Sequence, residues 1–206
     1  MAKQNRSAPV MQAVLDAVGD RLMKADESLI RIPEICEATG VNYGSVYHHF
    51  GSREGVIDAA YHQMFMKLAE EDLAVLQMVS VSSKTFEEYL ISMQGLIGTF
   101  ASSDLRRARR ALRARIVAAS MMRPELRELI GETQSRLTSE LQAIVEFGQQ
   151  RGWLNRELSA HAVAVLIQVL LVGRTLDDIS TAPIDNAEWE SSMAILLSVI
   201  IGSSQS

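Results

Sequence analysis

The sequence predicts an all-α protein of about nine helices, and three observations carry that expectation. Apolar residues recur at three- and four-residue intervals along nearly the whole chain, and no period-two alternation competes with them. Its 206 residues are 48% hydrophobic but only 5% aromatic, with four prolines, a composition suited to long Ala/Leu/Arg/Glu-rich helices. Residues 32–58, IPEICEATGVNYGSVYHHFGSREGVID, compress two short helices, a tight turn and the start of a third helix into one stretch. No internal repeat and no low-complexity segment is present beyond the polar tail.

The first helix is expected at about 9–24, with Val10, Val14, Leu15, Val18 and Leu22 on its buried side. Ile32, Ile35 and Cys36, with small Ala38 beside them, give the next helix, 32–39, one apolar side, and Gly40 can end it in the left-handed conformation. Asn42 is an N-cap residue for a helix over 43–49. There the i, i+4 spacing turns Val46 and Phe50 inward, while Tyr43 with Tyr47 and Gly44 with His48 line an outer face free to enter a DNA major groove. Ser52 and Glu54 are start signals for a fourth helix, about 53–77, carrying Val56, Ala60, Met64, Leu68 and Val75. After a Ser-rich break at 80–84, periodic segments follow at about 85–101, 104–121, 124–150, 158–179 and 186–201. The organisation expected is an N-terminal helix-turn-helix domain over 1–52, its first eight residues (1–8) a flexible arm, and a larger C-terminal domain over 53–206.

The run Gly40 to Val56, G-V-N-Y-G-S-V-Y-H-H-F-G-S-R-E-G-V, resembles the DNA-binding signature of the TetR/AcrR family of transcriptional regulators, whose usual form is G-V-S-x-G-x-[LI]-Y-x-H-F-x-[SN]-K-x-x-L. The likeness reaches upstream through Val14-Leu15-Asp16-Ala17 and covers about a quarter of the chain; the remainder is similar only in helical pattern and length. The chain departs from the family at Asp26-Glu27, where a glycine and an aromatic are common, and at Arg53, where lysine is usual. The resemblance implies a homodimeric repressor that binds a palindromic double-stranded operator and is released by a small-molecule effector held in the C-terminal domain. It also makes Tyr47 a phosphate-contacting residue, a role that fits a phenol able to hydrogen-bond a phosphate oxygen while its ring packs on a sugar. Tyr43 and His48 point towards base edges, Gly44 permits close approach, and Asn42, Ser45, His49, Arg31 and Arg53 are the flanking DNA-contact candidates.

Residues 1–60 hold six Lys or Arg against eight Asp or Glu, and the whole chain carries a net charge of −5. DNA affinity must therefore come from a few placed contacts, with Lys3, Arg6, Arg31 and Arg53 the available cations, and from dimerisation, since no broad positive field exists. The last two helices are apolar on more than one face, with Val163, Leu166, Ile167, Leu170 and Leu171 on one and Met193, Leu196, Leu197, Ile200 and Ile201 on the other. In the family such a pair meets its copy in a four-helix dimer interface, which assigns Leu166, Leu170, Met193, Leu197 and Ile200 to the seam; an ordinary core pair is the other reading.

An effector pocket is expected among Met93, Gln94, Ile97, Phe100, Arg109, Phe147, Gln168 and Leu171, where a few polar groups stand in apolar helices. Each glutamine is equally at home bonded to a helix neighbour or at the dimer seam, and Gly95 and Gly98 suit close helix packing as well as room for a ligand. The segment Asp104 to Arg115 carries six arginines. Leu105, Ala108, Leu112, Ile116 and Ala119 form its apolar strip, with Arg109 and Arg115 flanking it and Arg106, Arg110 and Arg113 pointing away. A solvated face paired with Glu70-Glu71-Asp72 competes here with a site for an acidic effector.

No nucleophile motif, Gly-rich phosphate loop, acid–base pair or metal-ligand spacing is present, so neither an enzyme nor a cofactor is expected. Adjacent His48 and His49 point about 100° apart on a helix and make no metal site. Cys36 has no partner for a disulfide and reads as a small buried residue. The N-terminus lacks an apolar signal region, and the longest apolar run, Ala162 to Gly173, is too short to span a bilayer; a cytoplasmic protein without a membrane partner is expected. The competing function is a helical dimeric DNA-binding regulator without an effector, its C-terminal domain serving dimerisation or a protein partner.

Overall fold

The computed structural model describes the backbone of residues 7–101 and 104–201, and their side chains apart from residues 7, 96–101, 104 and 171. The helices are α1 (Ser7–Leu22), α2 (Ile32–Thr39), α3 (Tyr43–Phe50), α4 (Arg53–Ser82), α5 (Phe86–Ala101), α6 (Asp104–Met122), α7 (Pro124–Gln150), α8 (Ala160–Gly173), the single turn α9 (Thr175–Asp178) and α10 (Asn186–Ile200). A 3-10 turn, Glu27–Leu29, precedes α2. Among the described residues there is no strand, only one isolated bridge between Leu154 and Ile201. The all-α expectation holds, with most boundaries within two residues. The apolar repeat of α4 continues a turn further than expected, to Ser82, because Val79 is a core residue and Ser83 closes the end by donating its hydroxyl to the Val79 carbonyl at 2.8 Å.

The chain forms two compact units, one comprising residues 1–67 with 116–130, the other 68–115 with 131–206. Helices α4, α6 and α7 each contribute residues to both.

In the first unit α2 packs against both α1 and α3. Its buried side chains include Val14, Val18 and Leu22 of α1, Ile32 and Ile35 of α2, and Val46 of α3, the spacings that the apolar pattern selects. Val10 is 41% exposed and Met11 takes its place inside, a rotation of one position at the helix start. Cys36 is buried, and that burial raises its thiol pKa, as expected for an inert small residue. Asp26, at the point where the sequence leaves the TetR pattern, caps the 3-10 turn: its carboxylate accepts from the Ser28 amide at 2.9 Å.

The second unit has two apolar clusters. One joins Leu73 and Leu76 of α4 to Leu137 and Leu141 of α7 and Ala164 of α8. The other gathers Val79, Tyr89, Val145, Trp153, Leu154 and Val163, with the Tyr89 and Trp153 rings stacked at 5.1 Å. Helix α5 packs against α10.

Candidate nucleic-acid interface and effector cavity

Helix α3 is held between two glycines that L-residues could not easily replace. Gly40 has φ +69° and ends α2, and Gly51 has φ +78° and ends α3. The Asn42 side chain caps α3 by accepting from the Gly44 amide at 2.8 Å. A Cβ on Gly44 would lie 3.1 Å from that same Asn42 oxygen, so the glycine serves the cap as well as leaving the helix surface low. Val46 is fully buried, and it fixes the rotation of α3. Tyr43, Gly44, Ser45, His48 and His49 are exposed in consequence, with Tyr47 half-buried.

The Tyr43 and Tyr47 rings lie 4.5 Å apart. Hydrogen bonding with Tyr43 raises the Tyr47 pKa above its ordinary value. His49 packs edge-on to Phe50 at 4.6 Å. Arg31 is exposed and precedes α2 without a side-chain capping bond. Arg53 is placed differently from the other cations. Its Nε donates to the Ile30 carbonyl at 3.1 Å, Nη2 donates to the Glu27 carbonyl, and Nη1 pairs with Glu54 at 3.4 Å. The guanidinium fork thus ties the start of α4 to the loop before α2, a job that a lysine could share only in part. Lys3 and Arg6, in the expected arm, lie outside the described residues.

Asp58 of α4 is buried, and Arg123, the residue before α7, pairs with it at 2.9 Å and with Glu27 at 3.2 Å while lying 5.5 Å from the Tyr61 ring centre. Burial holds the Asp58 carboxyl above its ordinary range, and Arg123 only partly offsets this. Nothing in the sequence marks this group, because a lone arginine before a proline has no motif.

The second unit contains two adjoining cavities. The smaller, about 130 Å³, has apolar walls that include Leu76, Met93, Ile167 and Leu170, and a polar end built by Asp72 and five arginines, Arg106, Arg109, Arg110, Arg113 and Arg174. The larger, about 410 Å³, is lined mainly by apolar side chains, with Ser80, Tyr89, Gln94 and Ser198 among them, and shares Leu76, Met93, Ile167 and Leu197 with the first. Of the expected pocket residues, Met93 lines both, Arg109 the smaller and Gln94, itself exposed, the larger.

Gln168 lines neither. It bonds the Gln134 side chain and the Thr138 hydroxyl, at 3.1 Å, of α7 and the Ala164 carbonyl of its own helix at 3.1 Å, so a helix neighbour satisfies it only in part and α7 supplies the rest. Phe147 also lines neither, and the Arg151 guanidinium lies 4.7 Å from its ring centre. The side chains of Ile97, Phe100 and Leu171, and Gly98, lie outside the described ones. No neighbour comes within 4 Å of a Cβ built on Gly95, so helix packing does not explain that glycine.

The arginine segment differs from its expected orientation. Arg110 and Arg113 are buried, whereas Leu105 is 70% exposed. Leu112 and Ile116 hold the inward strip, and the arginines beside them turn in because carboxylates await them. Asp72 receives Arg113 at 2.6 Å, Arg109 at 3.0 Å and Arg106 at 3.6 Å; Arg109 also pairs with Glu71. Arg110 grips Asp178 with two bonds of 2.7 Å, and that contact lowers the Asp178 pKa. The pairing with Glu71 and Asp72 is the one that the sequence offered; Asp178 was not anticipated, since nothing local links residue 110 to 178.

The expected dimer seam divides in two. Met193 is buried within the protomer, and Leu170, Leu197 and Ile200 are half-buried, because these positions of α8 and α10 face the cavities and the Trp153 cluster. Leu166 is 51% exposed and stands with Val165 and Val169 on α8; Ile195, Leu196 and Val199 of α10 are also exposed. Around the apolar run Ala162 to Gly173, expected to be too short to span a bilayer, residues 160–178 are long and apolar enough in composition to cross a membrane, with 18% of that window buried. Among the described residues no cluster of three metal-ligating side chains occurs.

Residues 30–60 match the family model of bacterial regulatory proteins of the tetR family. No curated protein is significantly similar to the chain. Solved structures share the fold over nearly the full length. One from Mesorhizobium loti, assigned to the TetR family of transcriptional regulators, is 17% identical with a TM-score of 0.71, over 96% of this chain and 99% of that one. A transcriptional regulator assigned in Saccharomonospora viridis, solved in complex with choline, is 16% identical with a TM-score of 0.69, over 95% and 99%. GusR of Salmonella enterica is 20% identical with a TM-score of 0.64, over 93% and 95%.

Proposed function

From a chain that carries the tetR-family helix-turn-helix on the fold of the TetR-type transcriptional regulators, we propose a homodimeric repressor that binds a palindromic operator and releases it when a small molecule enters the second unit. The observation that carries the reading is α3 itself: a helix capped by Asn42, anchored by Val46 and presenting Tyr43, Gly44, Ser45, Tyr47 and His48 outward. Tyr47 with Arg31 and His49 contacts phosphates, while Tyr43 and His48 read base edges. Arg53 acts through the loop that it braces rather than as a free phosphate ligand.

The exposed apolar rows of α8 and α10 meet their copies across a two-fold axis, which accounts for the apolar composition of 160–178 in a cytoplasmic, non-enzymatic protein. Such a dimer places two recognition helices about 34–36 Å apart, or a multiple of that, on one side of the duplex. An effector favours the non-reading arrangement, and its effect passes along α4 and α6, whose residues belong to both units. The functional division remains a reading head at 1–52 and an effector and dimerisation domain at 53–206.

Binding-site selection from random duplexes with the full-length protein tests this. A palindromic site should emerge, bound by the dimer and lost on Tyr47→Ala. Recovery of no preferred sequence would sink the operator reading. If a preferred site emerges but no compound in a ligand screen changes its affinity, the effector-free regulator is the correct account.

A further inference from the structure

We propose that the larger cavity of the second unit takes an uncharged effector, an apolar body carrying a hydrogen-bond acceptor such as a ketone, ester or lactone oxygen, which the Tyr89 hydroxyl meets. The inference rests on the effector reading above and adds the chemical class of the ligand. Its first support is the charge of the wall. Among the described residues that line the larger cavity there is no Asp, Glu, Lys, Arg or His, and residues 96–101 of α5, whose side chains are not described, contain none in their sequence. A carboxylate or ammonium group placed there would lose its hydration without gaining a counter-ion. The charges of the adjoining cavity are engaged within the protein: Asp72 takes Arg113, Arg109 and Arg106, and Asp178 takes Arg110 and Arg107.

The second support is a buried donor. Tyr89 is 4% exposed and lines the larger cavity while its ring stacks on Trp153 at 5.1 Å. Burial alone pushes its phenol up to about 12, with no hydrogen bond contributing, so this wall penalises charge even on the protein's own group. The hydroxyl is not one of the polar atoms sealed inside the protein, and an acceptor admitted to the cavity would satisfy it. Ser80, also buried, adds a second hydroxyl to the lining.

Size supplies the body. A space of about 410 Å³ lies within the range of small-molecule sites. Its lining is mostly leucine, isoleucine, valine and methionine, which favours an apolar occupant over a cluster of waters that would each need several polar partners.

Four compounds of nearly one shape separate these features: butyrophenone, neutral with a ketone acceptor; butylbenzene, neutral without one; 4-phenylbutyrate; and 4-phenylbutylammonium. Isothermal titration of the full-length protein should give butyrophenone the highest affinity, with both ions weaker by about tenfold or more. Tyr89→Phe removes a hydroxyl that the protein itself does not bond, so the unliganded variant should melt no lower than wild type. The same variant should bind butyrophenone about three- to tenfold more weakly and butylbenzene within about twofold of wild type. The chain has two tryptophans, and Trp189→Phe leaves Trp153, stacked on Tyr89, as the reporter of this cavity. Butyrophenone should shift its emission with the Kd found by titration. Either ion binding as tightly as butyrophenone overturns the proposal, as does a failure of butyrophenone to bind, a silent Trp153, a destabilised Tyr89→Phe protein, or a variant that weakens both neutral compounds alike. If butyrophenone binds as expected yet leaves affinity for the selected operator unchanged, the neutral site stands and the release mechanism falls. If it does not bind while a charged compound releases the operator, the release mechanism stands and the ligand class is wrong.

Discussion

Leu196→Glu and Met193→Ala, three residues apart on α10, should fail in opposite ways. Leu196 is 57% exposed in the protomer, so a glutamate there meets water and should leave the monomer's stability within about 0.5 kcal/mol of wild type. In a two-fold interface the same residue appears twice, and since only the exposed half of Leu196 is left to bury there, each copy forfeits about 1–1.5 kcal/mol. The dimer should therefore weaken by about 2–3 kcal/mol, one to two orders of magnitude in Kd, before any charge desolvation is counted. Met193, at 7% exposure, faces the cavity and the protomer interior. Its truncation should cost about 2–5 kcal/mol of folding stability and affect dimerisation only through the fold. Sedimentation equilibrium across a concentration series gives the first quantity and chemical denaturation the second. A Leu196→Glu protein with unchanged Kd would refute the interface drawn from the exposed rows, and if Met193→Glu dissociated a well-folded protein the sequence-based seam would be right after all.

Three further outcomes are expected. Tyr47→Phe should lower affinity for all duplexes alike, whereas His48→Ala should relax preference at particular operator positions by about 1–3 kcal/mol; repeating site selection on both variants checks it, and identical preferences in both would remove the groove assignment. Asn42→Ala removes the 2.8 Å cap and should cost about 1 kcal/mol, seen as faster amide exchange at the start of α3 and weaker operator binding; unchanged exchange would mean that the cap is held from elsewhere. Arg123→Met leaves Asp58 buried without its cation and should cost about 3 kcal/mol at neutral pH. Because the folded pKa of Asp58 lies above its ordinary 3.8 and rises further in this variant, the folded state holds the proton more tightly than the unfolded state. The deficit is then full above the folded pKa and shrinks as pH falls through it towards about 4, so denaturation curves of both proteins over pH 4–7 should converge at the acid end; a gap that widens there would contradict the assignment.

What the sequence disclosed depended on how local the cause was. Gly40, Asn42, Val46 and Gly51 act on their own helix or the next, so the placement of α3 was legible from residues a few positions apart. The resemblance added a phosphate-contacting role for Tyr47; Arg53 was expected among the cations available for DNA, and only the approach of the Glu27 and Ile30 carbonyls, 26 and 23 positions away, reveals the brace. In the second unit the causes are remote throughout. Periodicity treats an arginine as a residue that points to water, a sound rule until a partner is buried opposite, and Asp72 and Asp178 come to α6 from 41 and 68 residues away. The same rule ran the other way on α8 and α10. There nearly every position is apolar, so the pattern could not say which leucine faced the protomer and which faced out, and the sequence placed Met193 at a seam from which the cavity withdraws it. Apolar excess leaves the choice of face open: on α10 Met193 lines the arginine-walled cavity while Leu196 and Val199 stand exposed, and it is those exposed positions that the proposed dimer would use.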